Sequence, residues 1–88
     1  MVIDYPLYGE PCTLAITIVC EGEQNLRLIV EDADNEETML TNRTCLVNTE
    51  KTYYVRIPMS PDIARIELFS ENGDSEKFDI EDISVQQL

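Results

Sequence analysis

The apolar positions of this chain recur every second residue. In "CTLAITIVC" the residues Cys12, Leu14, Ile16, Ile18 and Cys20 fall on one face, the period of a β-strand. The other face holds Thr13, Ala15, Thr17 and Val19, mild enough to predict a central strand covered on both sides. "EGEQN" reads as a turn, with Gly22 supplying backbone freedom. "LRLIVED" resumes the alternation, Leu26, Leu28 and Val30 against Arg27 and Glu31. "DADNEE" predicts a solvated loop, and "TML" and "TCLVN" read as short β-branched pieces. "KTYYVRIPM" alternates again until Pro58 and Pro61, since proline cannot donate to a ladder. "DIARIELFS" and "KFDIEDISVQQL" are two further strands around the Asn-Gly loop "ENGDSE".

In the last of these the phase slips. Phe78 and Ile80 are two apart, Ile80 and Ile83 three. A bulge between the isoleucines resets the phase, puts both into the core and turns two carboxylates outward together. No stretch sustains an amphipathic helix of three turns. Short strands with turn signals between them predict an all-β fold, a small antiparallel β-sandwich. Residues 12–88 form that single domain, and residues 1–11 an irregular N-terminal arm.

From Cys12 onward the order of features resembles the jelly-roll domains of the galactose-binding-like and carbohydrate-binding-module families. The resemblance rests on "YYVRIPM", "ARIELFS" and "FDIEDISV", which look like the last three strands of such domains. It implies a jelly-roll-like fold, a glycan as one ligand class, and a structural calcium near the closing strand. The chain has no Trp, so a sugar-stacking platform would fall to Tyr54.

Charge narrows the function. The 88 residues carry 18 acids against 6 bases, a net charge of −12. Nucleic-acid binding needs Lys and Arg to displace counterions, and anionic membranes demand the same. Both partners are therefore disfavoured, and basic protein surfaces or cations are favoured. With no His, the usual general base and the Ser-His and Cys-His pairs are missing. Together with the absence of a phosphate-cradling glycine loop, this predicts no enzymatic activity. No basic segment leads into an apolar run, and no stretch is apolar for ~18 residues. The expectation is synthesis in the cytoplasm with no membrane span. Cys12, Cys20 and Cys45 have no CxxC spacing; one disulfide is arithmetically open, but the cytoplasmic reading makes all three reduced and hydrophobe-like.

Two acidic clusters invite a metal reading. Asp79, Glu81 and Asp82 crowd the closing strand, where calcium would need six to eight converging oxygens. The alternative is a solvated, bulged strand. In "EDADNEE" Asp32, Asp34 and Asn35 hint at an EF-hand, but Glu37 stands where its glycine belongs. The alternative there is a solvated connection whose charges guard a sheet edge. The expectation is no cofactor, with structural calcium the exception. "NRT" at 42–44 matches a glycosylation sequon and, without a secretory signal, reads as chance.

Tyr5, Pro6, Leu7 and Tyr8 of the arm, with Tyr54, are the candidate partner-binding residues, because tyrosine gives contact area at low entropy cost. The arm has two readings, docking on a partner and packing on the domain's own sheet. Tyr53 and Tyr54 alternate, so one is core and the other exposed. These readings converge on a non-catalytic binding or assembly module within a larger or symmetric structure. A small decoration, head-auxiliary or tail-associated protein of a bacteriophage-type virion fits size, acidity and absent chemistry. The rivals are a carbohydrate-binding module and an acidic inhibitor or nucleic-acid mimic.

Overall fold

A computed structural model describes residues 1–7, 12–33, 35–57, 63–71 and 80–88, with the backbone alone for 35–38. The class is all-β and antiparallel, as the two-residue period predicts. Five strands run in chain order: β1 (Val2–Pro6), β2 (Cys12–Asp32), β3 (Asn35–Ile57), β4 (Ile63–Ser70) and β5 (Ile80–Gln87). The sheet order is β1-β4-β2-β3, and β5 also pairs with β2. These pairings establish the antiparallel class; the jelly-roll connectivity stays an expectation.

β2 and β3 form one long hairpin, from Cys12↔Ile57 to Asp32↔Asn35. Two expected connections are thus absorbed into strands. "EGEQN" lies inside β2, and most of "DADNEE" belongs to β3 or the end of β2, with a turn at Ala33. "TML" and "TCLVN" are parts of the continuous β3.

The hairpin is too long to be straight. A strand of the 21 residues of β2 would span about 69 Å, whereas the longest dimension is 36 Å. The bend falls between Val19 and Glu23, where the register shifts and Gly22 takes φ 70° and Thr49 φ 66°. Left-handed backbone of this kind re-aims a strand, and glycine adopts it at no steric cost. Arg43 and Tyr53 of β3, about 33 Å apart on a straight strand, instead meet, with the guanidinium carbon 4.8 Å from the ring centre. The sheet is therefore folded double, so that the same face of both halves is covered.

That inner face is the core. Leu14, Ile16 and Ile18 from the first half of β2 and Leu26, Leu28 and Val30 from the second are all fully buried. Val47, Val55, Ile57, Ala64, Ile66 and Leu68 join them from β3 and β4. Each large apolar side chain so buried contributes about 1.5–3 kcal/mol. Cys12, Cys20 and Cys45 are buried in the same core as free thiols. Thr13, Ala15, Thr17 and Val19 stay partly exposed, so β2 is covered on one face and not on both. The Thr17 and Thr52 hydroxyls bond across that outer face at 2.8 Å.

The first residues are part of the sheet. Val2–Pro6 pair with β4 from Val2↔Glu67 to Pro6↔Ile63, and the Leu68 amide donates to the Met1 carbonyl at 2.9 Å. For these residues the expected boundary between arm and domain does not exist, and packing on the domain's own sheet is the reading they take. No helix among the described residues is long and apolar enough to cross a membrane.

Candidate functional site

The pairing scheme leaves one side of the molecule incomplete. Beyond the bend, one layer is β3-β2-β4-β1, four strands across. Before it, the other layer is β3-β2-β5, three strands across. β5 and β4 lie on the same side of β2, so doubling the sheet sets β5 opposite β4. β1 then projects one strand further, with no described strand opposite it.

Burial agrees with this topology. The half-buried apolar residues that rim the core are Ile3, Tyr5 and Leu7 at β1 and just after it, Ile80, Ile83 and Val85 on β5, and Leu40 on β3. Ile3 and Tyr5 sit in the inward phase of β1, opposite Ile66 and Ala64 of β4, which are buried. Ile83 and Val85 hold the equivalent phase on β5, opposite Ile18 and Ile16. Among the described residues the core rim is half covered along a cleft from β5 to β1 and at Leu40 of β3.

The bulge in β5 stands where the slipped spacing places it. Asp82 pairs with Val19 and Ile80 with Cys20, leaving Glu81 as the extra residue. Ile80 and Ile83 both pack on the core, while Glu81 and Asp82 are exposed. Asp32 lies in the hairpin end of β2, away from this bulge. Asp79, Asp34 and Tyr8 lie outside the described residues, so neither acidic cluster is seen whole. Among the described residues no three metal-ligating side chains converge.

The bases are distributed unevenly. Arg27 is held in a fork, its Nε and Nη2 donating to Glu71 at 2.9 and 2.8 Å and its Nη1 to Asn42 at 2.6 Å. This bond from Arg27 holds the Glu71 carboxyl below the usual carboxylate range. Thr44 takes a further bond from Arg27 at 3.2 Å, so two residues of the "NRT" triplet serve this network. Arg65 donates to Asp4 across β4 and β1 at 3.1 Å. Three of the six bases, Arg43, Lys51 and Arg56, lie on β3, which pairs with the edge of β2 away from β5.

Arg43 and Lys51 occupy inward-phase positions of β3, opposite Leu28 and Ile18. Both cations lie over the Tyr53 ring, at 4.8 and 5.3 Å. Their stems cover the core while their charges reach water, and inward-pointing charges of this kind block strand addition at an edge. Burial, then the neighbouring Cys45 thiol, pushes the Tyr53 hydroxyl up to about 12. Burial also pushes the Cys45 thiol up. Tyr53 is 5% exposed and Tyr54 64%, the division that their alternation requires.

Of the proposed contact residues, Tyr5 and Leu7 line the cleft, Pro6 is exposed on the outer side of β1, and Tyr54 stands apart on the outer face opposite Ala15. Sequence reasoning did not single out Ile3, Ile83 and Val85 as site residues. The alternation of Ile3, Tyr5 and Leu7 carried a signal for β1, which the prolines and tyrosines around it obscured. Set against known proteins, the chain matches no family model, no curated protein and no solved structure.

Proposed function

We propose that this chain is a non-catalytic binding and assembly module, and within that class a small structural component of a bacteriophage-type virion: a decoration, head-auxiliary or tail-associated protein. The observation that carries the binding reading is the half-buried apolar rim that β1 and β5 leave among the described residues. A contiguous apolar patch rimmed by polar residues favours an interaction site. The virion reading adds size, acidity and absent chemistry. The test is quantitative mass spectrometry of particles purified from the native source, with the gene's neighbours read alongside. Stoichiometric presence among capsid or tail proteins is the expected result, and presence only in the free soluble fraction overturns the virion reading.

A second reading has its own observation. Tyr54 stands exposed on the outer face, with Ala15 directly opposite, Thr52 and Arg56 two residues before and after it on the same strand, and Gln86 across β2. An exposed aromatic face suits stacking on a pyranose ring. A glycan array settles it: a hit that Tyr54→Ala abolishes favours the carbohydrate-binding module.

A further inference from the structure

We propose that the outer face around Tyr54 binds a sugar that carries a carboxylate, a hexuronate, with its ring stacked on Tyr54 and its carboxylate held by Arg56. This rests on the glycan reading above and names the class of sugar.

Arg56 carries the charge component. Arg27 holds Glu71, Arg65 holds Asp4, and Arg43 lies over the Tyr53 ring. Arg56 is exposed, and among the described residues no carboxylate pairs with it. In a chain of 18 acids and 6 bases, its planar fork of donors is left for a carboxylate from outside, the group that fork fits best.

The local field admits an anion. Along this face the nearest described acidic side chains are Glu50 and Asp82, one on each side of Val19. Glu50 stands six residues before Arg56 on β3, about 20 Å along the strand. Exposed charges are screened over about 8 Å at physiological salt. The net charge of −12 therefore reaches Arg56 weakly.

The layout of the face selects a sugar. Tyr54 is 64% exposed, and it shares the outer phase of β3 with Arg56, about 7 Å away. A ring stacked on the tyrosine, with a carboxylate on its rim one hydrogen bond from the guanidinium, fills that spacing. Ala15 separates Tyr54 from Gln86, and its short side chain leaves the aromatic ring open toward β2. Thr13 lies opposite Arg56 and Ser84 opposite Thr17. Their hydroxyls and the Gln86 amide both donate and accept, which matches the hydroxyls of a sugar, whereas an acidic side chain only accepts.

The test uses the whole chain, isotope-labelled, and an array of matched oligosaccharide pairs of several linkages. The members of a pair differ only at C6, a hydroxymethyl in the hexose and a carboxylate in the hexuronate. The best pair is then titrated in solution. The expected result is that the hexuronate binds at least about tenfold more tightly than its neutral match and shifts the amides of residues 13–17 and 52–56. Raising the salt narrows the preference, a readout that needs no variant. Arg56→Gln removes the preference and leaves the neutral sugar's affinity unchanged, and Tyr54→Ala abolishes both affinities.

Equal affinity within a pair, or a preference that survives Arg56→Gln, overturns the carboxylate assignment and leaves the glycan reading standing. Binding by no member of any pair overturns both. A capped tetraglutamate peptide that binds as tightly as the hexuronate overturns the sugar as the occupant.

Discussion

The bend that folds the hairpin double predicts opposite effects at two facing positions. Gly22 at φ 70° and Thr49 at φ 66° sit within the register jump between Val19↔Glu50 and Glu23↔Asn48. An L-residue in left-handed backbone costs about 1–2 kcal/mol. Replacing glycine also stiffens the unfolded chain, which returns about 0.4–1 kcal/mol. A Cβ added at Gly22 meets nothing within 4 Å, so no clash enters. Gly22→Ala should therefore destabilise by roughly 0.5–1 kcal/mol, and Gly22→Val by more, since branching sharpens the penalty.

Thr49 is the converse case, a β-branched residue already held in that conformation. Thr49→Gly relieves about 1–2 kcal/mol of strain and gives back about 0.5–1 kcal/mol of chain entropy. It also loses the exposed bond from the Thr49 hydroxyl to the Asn48 carbonyl at 2.6 Å, worth at most about 0.5 kcal/mol in water. The net change is neutral to stabilising by about 1 kcal/mol. Urea unfolding with a slope near 1 kcal/mol/M turns each kcal/mol into about 1 M of midpoint. Unchanged midpoints for both Gly22 variants would refute the bend as the place where the strand needs left-handed backbone. A loss above about 1 kcal/mol in Thr49→Gly would refute the strain at its partner.

Other consequences follow from single features. The raised hydroxyl of Tyr53 stabilises the fold fully below the ordinary tyrosine value near 10, and that stability is lost as pH rises from about 10 to about 12, on the order of 2–3 kcal/mol in all; alkaline unfolding curves of the parent chain and Tyr53→Phe check it, the variant losing this pH dependence. The depressed carboxyl of Glu71 has the opposite sign: its contribution is present above the ordinary carboxylate value near 4.3 and lost as pH falls through the folded one, so Glu71→Gln should flatten the acid limb of a stability–pH profile. Deleting Glu81 removes the extra residue of the bulge and leaves Ile80 and Ile83 two apart, still on one face of a now regular strand, so urea unfolding should change by less than about 1 kcal/mol; a larger loss would mean that the bulge does more than set the phase.

Local alternation made much of the architecture readable. Leu14, Ile16 and Ile18, then Leu26, Leu28 and Val30, name their buried face without any knowledge of partners, because a strand's period of two is local. The slip from Ile80 to Ile83 likewise announces a bulge, since two apolar residues three apart share a face only if one residue between them is surplus. Gly22 was harder. A glycine among polar residues signals a departure from regular strand, and a turn and a bend within one strand leave the same mark. What separates them is whether hydrogen bonding continues past the break, here from Val19↔Glu50 to Glu23↔Asn48, and that lies in β3, some thirty residues away.

The cleft was illegible for a related reason. Ile83 and Val85 read as core from their phase, and Ile3 and Tyr5 share the same alternation. Whether such residues are covered depends on how many strands each layer holds, a property of pairing order. β5 takes the edge of β2 before the bend and β4 takes it after, so the layers inherit unequal widths. The rim at Ile3, Tyr5, Leu7, Ile80, Ile83 and Val85 is the direct product of that inequality. The guards point to the same conclusion. Arg43 and Lys51 stand at inward positions where Leu or Val would bury more surface, and they do so on the edge where the two layers are of matched width. Charge at such positions costs burial and gains resistance to strand addition. On β5 the equivalent positions, Ile83 and Val85, carry no charge, and there the facing layer extends beyond the edge.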